Sequence, residues 1–268
     1  MHPIEHLRYV ARASGSDPAL VAREAASALA EIAETDPAGL VPACRRLVER
    51  HLTSGPVWWL SARVLGAADP SQAALNAAVE LGDDRTDRHL AAELPESATI
   101  TVVGWPESTG AALRRRGDVE VLVVDSLGDG SALARRLATE GTACEVVPNS
   151  GVGPASAVSD LVVLEALVAG PAGVLAAPGS LPAAAVAVQS GRPVWLVAPI
   201  GRVLPGGLWD ALLNRFDETA GEPWDRPAEL VPVTLFSEMI GPEGPIPVEH
   251  GLTAATCPTA PELLRSAG

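Results

Sequence analysis

The stretch from Ser159 to Pro199 constrains the fold more than any other. Its apolar runs, Leu161 to Leu164 and Val194 to Val197, are unbroken by polar residues, so they do not suit strands with one wet face. They suit strands of a parallel sheet covered on both sides. Between them, Gly179-Ser180 opens a segment rich in alanine, read as one helix with a small-residue face. A strand, a helix and a second strand make a right-handed crossover, whose loops gather at the carboxyl ends of the strands. A ligand would bind there.

Upstream the same alternation continues. Strands are expected at Thr99 to Val103, Val119 to Val124 and Ala143 to Val147, with helices from about Ser108, from about Gly130 and over Val152 to Val158. Downstream, a helix around Leu208 to Phe216 precedes a last strand over Leu230 to Phe236, and the Gly- and Pro-rich tail from Gly241 reads as irregular. The expected class is α/β, a doubly wound, Rossmann-like parallel sheet. Residues 4 to about 93 instead show helical spacing, as in Leu20, Val21, Ala25, Leu29 and Ile32, then Leu40, Val41, Cys44, Leu47, Val48 and Leu52. Asp17-Pro18 and Asp36-Pro37 each put a capping acid before a first-turn proline, and five or six helices are expected. Trp58 and Trp59 read as core of that region. The pattern changes at Leu94-Pro95-Glu96-Ser97, so the expected domains are a helical one over 1–95 and a Rossmann-like one over 96–268.

Composition then narrows the function. With 268 residues and 47% hydrophobic content, the chain can bury a sizeable core. A formal charge of −14 repels polyanions, so neither nucleic acid nor an anionic membrane is an expected partner. All 19 basic residues are arginine; without lysine, neither a Schiff base nor a Walker-type phosphate loop can form. Cys44, Cys144 and Cys257 lie far apart without CxxC spacing, and the five histidines make no ligand motif, so no disulfide framework, metal or other cofactor is implied. No apolar run reaches a membrane span, and Met1 to His6 lacks the form of a secretory signal, so the chain reads as cytoplasmic.

Polar residues collect in the loops that follow the strands: Gly104 to Ser108, Asp125 to Gly130, Asn149-Ser150-Gly151, Glu165, and Gly179-Ser180. The GxGxxG fingerprint is absent, and the acids of the second loop would repel a pyrophosphate, which excludes a nicotinamide site of the usual kind. The nucleophile elbow GxSxG is absent too.

The order of these loops resembles a known family. The Asn149-Ser150 turn after a Val-Val strand, Asp160-Leu-Val-Val-Leu before Gly173-Val174, Gly179-Ser180 opening an alanine-rich helix, and Arg192-Pro193-Val194 before a strand are similar to the translation initiation factor 2B alpha, beta and delta subunits. Methylthioribose-1-phosphate isomerase and ribose-1,5-bisphosphate isomerase belong to the same family. The segment Leu230 to Gly241 resembles its ending, and the resemblance covers roughly residues 95 to 250. It implies a homodimer and a sugar-phosphate crevice. It also shows what has changed: Gly104 stands where the isomerases carry a catalytic cysteine, Leu167 where they carry a catalytic aspartate, and Ala176-Ala177 where an Asn-Lys pair holds the phosphate. A 1,2-hydrogen shift needs a positioned proton donor and acceptor, each worth roughly 10²- to 10⁴-fold in rate.

Two readings follow, with a literal role in translation initiation as a third. One is a noncatalytic dimeric sensor or scaffold with a degenerate sugar-phosphate or nucleotide crevice. The other is an isomerase-like enzyme with rebuilt chemistry, in which Glu165 or Asp125 serves as base and Ser126 or Asn149 as the hydroxyl or oxyanion partner. A glutamate buried at a strand end should have a raised pKa. For a small phosphorylated metabolite, the expected anion site is the helix start at Gly179 and Ser180, faced by Asn149 and Ser150 and completed by Arg202. Ser180 acting only as a helix cap is the competing expectation. Leu235, Phe236, Met239 and Ile240 supply an apolar surface for the dimer.

Overall fold

The computed structural model describes residues 17–219 and 221–265; the part of the helical reading that covers residues 1–16 lies outside them. Five helices open the described chain: α1 (Pro18–Thr35), α2 (Leu40–Arg50), α3 (Gly55–Gly66), α4 (Pro70–Gly82) and α5 (Thr86–Glu93). The acid-proline pairs act as their spacing implies. Asp17 accepts the Ala19 amide at 2.9 Å and Asp36 the Gly39 amide at 3.3 Å, each satisfying an amide that the first turn leaves free. Trp58 and Trp59 are fully buried, and their indole N–H groups donate to the Leu52 carbonyl and the Thr256 hydroxyl.

The rest is an alternation of strands and helices: β1 (Thr99–Val103), α6 (Glu107–Arg115), β2 (Glu120–Asp125), α7 (Asp129–Thr139), β3 (Ala143–Pro148), α8 (Val152–Val158), β4 (Leu161–Glu165), β5 (Val168–Gly170), β6 (Gly173–Ala176), α9 (Ser180–Gln189), β7 (Val194–Val197), α10 (Gly206–Thr219), β8 (Glu229–Val231), β9 (Glu238–Gly241), β10 (Gly244–Ile246) and α11 (Val248–Gly251). The main sheet has the order β10-β9-β7-β4-β1-β2-β3, parallel throughout except for the terminal β9–β10 hairpin. The class is α/β with a helical region ahead of the sheet, as expected. β1 and β4 are neighbours, and the chain winds outward from them in both directions, so their carboxyl ends form the topological switch point.

Two expectations need correction. The crossover from β4 to β7 is not a simple strand-helix-strand unit, because β5 and β6 intervene as a hairpin and pair with β8 in a second, antiparallel sheet. The run Leu230 to Phe236 is not one strand: Pro232 has no amide to donate, β8 ends before it, and Val233–Leu235 forms a 3₁₀ turn. The strand that extends the main sheet is β9, just ahead of the tail, and the tail is not irregular throughout, since it forms β10 and α11. Phe236, Met239 and Ile240 are therefore 8%, 3% and 0% exposed and belong to the core of their own chain, so of the four residues expected to form a dimer surface only Leu235, half-buried, stays in reach of solvent.

The second sheet joins the helical region to the rest. Val168 and Leu175 pack with Trp58, Trp59 and Leu60 and with Leu208, Trp209 and Leu212 of α10 in one continuous core. Gly170 is required there, since a Cβ would collide with the Trp209 ring. Helix α5 packs differently, with Leu90 and Leu94 against the main sheet around Ile100 and Val163. Among the described residues no helix is long and apolar enough to cross a membrane.

Candidate functional site

Three of the helices that begin beyond the carboxyl ends of strands, α6, α7 and α9, start with amides that an anion could use. In every case a carboxylate of the chain itself is already there. Asp125, at the end of β2, accepts the Ser131 amide at 3.1 Å and the Ser131 hydroxyl at 2.8 Å at the start of α7. Glu165, at the end of β4, reaches across the switch point to α6, where its Oε2 accepts the Thr109 amide at 2.9 Å and the Thr109 hydroxyl at 3.0 Å. Glu229, at the start of β8, comes from the second sheet to α9 and accepts the Leu181 amide at 2.6 Å.

The accounting at α9 leaves nothing over. Gly179 holds the N-cap position with φ of +98°, a left-handed conformation that glycine adopts without strain. The Ser180 amide donates to Ala177, Leu181 to Glu229, Pro182 has no amide, and Ala183 donates to Gly179. Ser180 is buried, and Gly179 holds the N-cap position that was expected of it. Asn149 does face this turn: a Cβ on Gly179 would lie 3.0 Å from its Oδ1. Ser150 is beside it and exposed. Ser126 is buried and spends its hydroxyl on the Pro178 carbonyl at 2.6 Å, tying the two loops together. Gly104 lies under the same loops, 3.5 Å from the Ala177 Cβ and 3.6 Å from the Ser126 Cβ when its own Cβ is placed.

Arg202 does not complete this group. It is 3% exposed, donates from Nη1 to the Leu167 carbonyl at 3.1 Å, and places Nη2 3.7 Å from Glu165 Oε1. The Leu167 carbonyl also accepts the Gly55 amide at 3.0 Å, so the start of α3 and Arg202 converge on one oxygen. Arg202 Nε is buried without a hydrogen-bond partner. The expected anion partner is thus an internal counterion of Glu165.

Electrostatics separate the two candidate bases. Burial pushes the Glu165 carboxyl above its ordinary range, opposed by Arg202 and by the Thr109 donors. That matches the expectation for a strand-end glutamate, yet both its oxygens are engaged. Asp125 goes the other way: the Ser131 hydrogen bonds hold it below the usual range, which does not suit a base working near neutrality. Glu229 is raised by burial and pulled back by the Leu181, Gly179 and Ser180 amides. Burial pushes the Cys44 and Cys257 thiols up to about 12, so both are inert, and the described residues contain no group of three potential metal ligands.

Glu229 and Thr109 escaped the sequence reading. Glu229 is 48 residues from Leu181 and has no local motif, whereas Pro182, which removes a free amide from α9, was visible.

No protein-family model matches the chain, and no curated protein is similar to it in sequence. Solved structures are similar in fold. The translation initiation factor 2B of Pyrococcus horikoshii OT3 superposes with a TM-score of 0.73 at 16% identity, covering 93% of this chain and 98% of that one. The tetrameric factor 2B beta2-delta2 complex of C. thermophilum gives 0.71 at 15% identity over 94% and 92%. The 5-methylthioribose 1-phosphate isomerase of P. horikoshii OT3 gives 0.67 at 15% identity over 93% and 86%. The chain has the fold that translation initiation factor 2B subunits share with this isomerase.

Proposed function

We propose that the chain is a noncatalytic protein of the initiation factor 2B fold, a cytoplasmic homodimeric scaffold or sensor whose sugar-phosphate crevice has been filled from within. The observation that carries this reading is Glu229 on α9. A phosphate at that helix start would need amides that are already bonded, and it would meet a carboxylate. Glu165 closes the switch point in the same way, with Arg202 locked behind it. A net charge of −14 with no lysine further disfavours a phosphorylated ligand or a nucleic acid. Dimerisation is supported by the assembled state of the tetrameric factor 2B complex that shares the fold. The second reading, an isomerase-like enzyme, draws on one feature, the raised pKa of Glu165 at a strand end.

One set of measurements separates them. Calorimetry and thermal shift with methylthioribose 1-phosphate, ribose 1,5-bisphosphate and adenosine monophosphate should give no saturable response, because a ligand bound only by the native state must raise its melting temperature. Light scattering should give a dimer at micromolar concentration. Turnover of either sugar phosphate, lost in Glu165→Gln, would replace the scaffold with the isomerase.

A further inference from the structure

A second concave site lies apart from the crevice and shares no residue with it. A cavity of about 510 Å³ forms where the loop after β7 meets the β9–β10 hairpin, closed by Glu80 of α4 and the chain beyond α11. Its volume falls within the roughly 300–1,000 Å³ of small-molecule sites, and it stands at the carboxyl ends of β7 and β9, apart from the switch point between β1 and β4. The walls are apolar: Pro199, Ile200, Val203, Met239 and Ile246. Prolines at 199, 242 and 245 stiffen the backbone, so the space is preformed and a ligand need not order it. Met239 is the adaptable part. Its sulfur occupies the position that a side chain on Gly251 would take, and a thioether can repack around different shapes.

Charge then selects among apolar ligands. Among the described residues no basic side chain lines the cavity, and the two charged ones that do are both acidic. Glu80 is held by two hydrogen bonds from Arg63, of 2.5 and 2.8 Å, whereas Glu243 stands exposed at the rim. An anion entering past Glu243 would lose its hydration and gain no positive partner.

We propose that this cavity binds a compact apolar molecule carrying no negative charge, neutral or with a single amine. The assignment is independent of whether the switch-point crevice holds an anion, since the two share no residue.

Two fluorescent probes test it on the full chain. N-phenyl-1-naphthylamine is neutral, and 8-anilinonaphthalene-1-sulfonate is nearly the same ring system with one negative charge. The neutral probe should bind saturably, at one site per chain, and at least roughly tenfold more tightly than the sulfonate. Ala254→Trp, at an exposed position on the wall, should weaken the neutral probe by roughly tenfold or more by filling the space. Glu243→Lys should raise the affinity for the sulfonate and leave the neutral probe unchanged; this exposed rim variant also decides the matter if Ala254→Trp fails to fold. Equal affinity for the two probes in the parent, neutral binding indifferent to Ala254→Trp, or a sulfonate affinity unmoved by Glu243→Lys would each overturn the assignment.

Discussion

The Glu165–Arg202 pair is the most exacting test of the closed crevice. Their side chains are 6% and 4% exposed, and the distance between Oε1 and Nη2 is 3.7 Å. Removing one member of a buried pair leaves the other's charge without compensation, which costs about 3–5 kcal/mol. The two members do not respond alike. In Glu165→Gln the amide still accepts from Thr109, but Arg202 remains charged and buried, because a guanidinium does not give up its proton. The full cost of about 3–5 kcal/mol is expected. In Arg202→Met the carboxyl can escape by taking a proton, as its raised pKa already favours, so the loss should be smaller, on the order of 1–3 kcal/mol with the Leu167 hydrogen bond included. The double variant should cost less than the sum of the singles. Because burial raises Glu165, its contribution is fullest below the ordinary carboxylate range and is lost as pH rises through the raised value. The penalty of Arg202→Met should accordingly grow from pH 5 to pH 8, while Glu165→Gln, which cannot titrate, should lose less stability than the parent over that interval. Urea unfolding followed by far-ultraviolet circular dichroism measures all four proteins. Additive single costs, or a larger loss for Arg202→Met than for Glu165→Gln, would refute the reasoning.

Two further outcomes concern the frame around the crevice. Gly170→Ala should destabilise by about 1–3 kcal/mol in the same unfolding experiment, because its methyl must displace the Trp209 ring in the core that joins helices to sheet; a neutral effect would mean that the contact is loose. Asp118 is held well below the usual carboxylate range by Arg116, and its stabilisation, present above the ordinary pKa, is lost as pH falls through the lowered value. Asp118→Asn should therefore narrow the difference in melting temperature between pH 7 and pH 3, and an unchanged difference would remove the pair from the acid response.

Periodicity alone carried the sequence reading a long way. Five parallel strands, the helices between them and the helical region ahead were legible because burial on two faces, one face or none leaves a direct trace in the order of apolar residues. The helical turns that start at Pro18 and Pro37 were legible because an acid and a proline act within one turn. The β5–β6–β8 sheet was not, since strands of three or four residues carry too short a pattern and pair with a segment some 55 residues away. The site divided along the same line. The loops that bear Asp125, Ser126, Asn149, Glu165 and Gly179 were found from their places after strands. Which amides were already spent, and that Arg202 answers Glu165 and not a ligand, depended on side chains brought together from distant positions. Local order determines which groups stand at the edge of a sheet. Only tertiary structure decides whether they are free, because a hydrogen bond taken by one partner is closed to another.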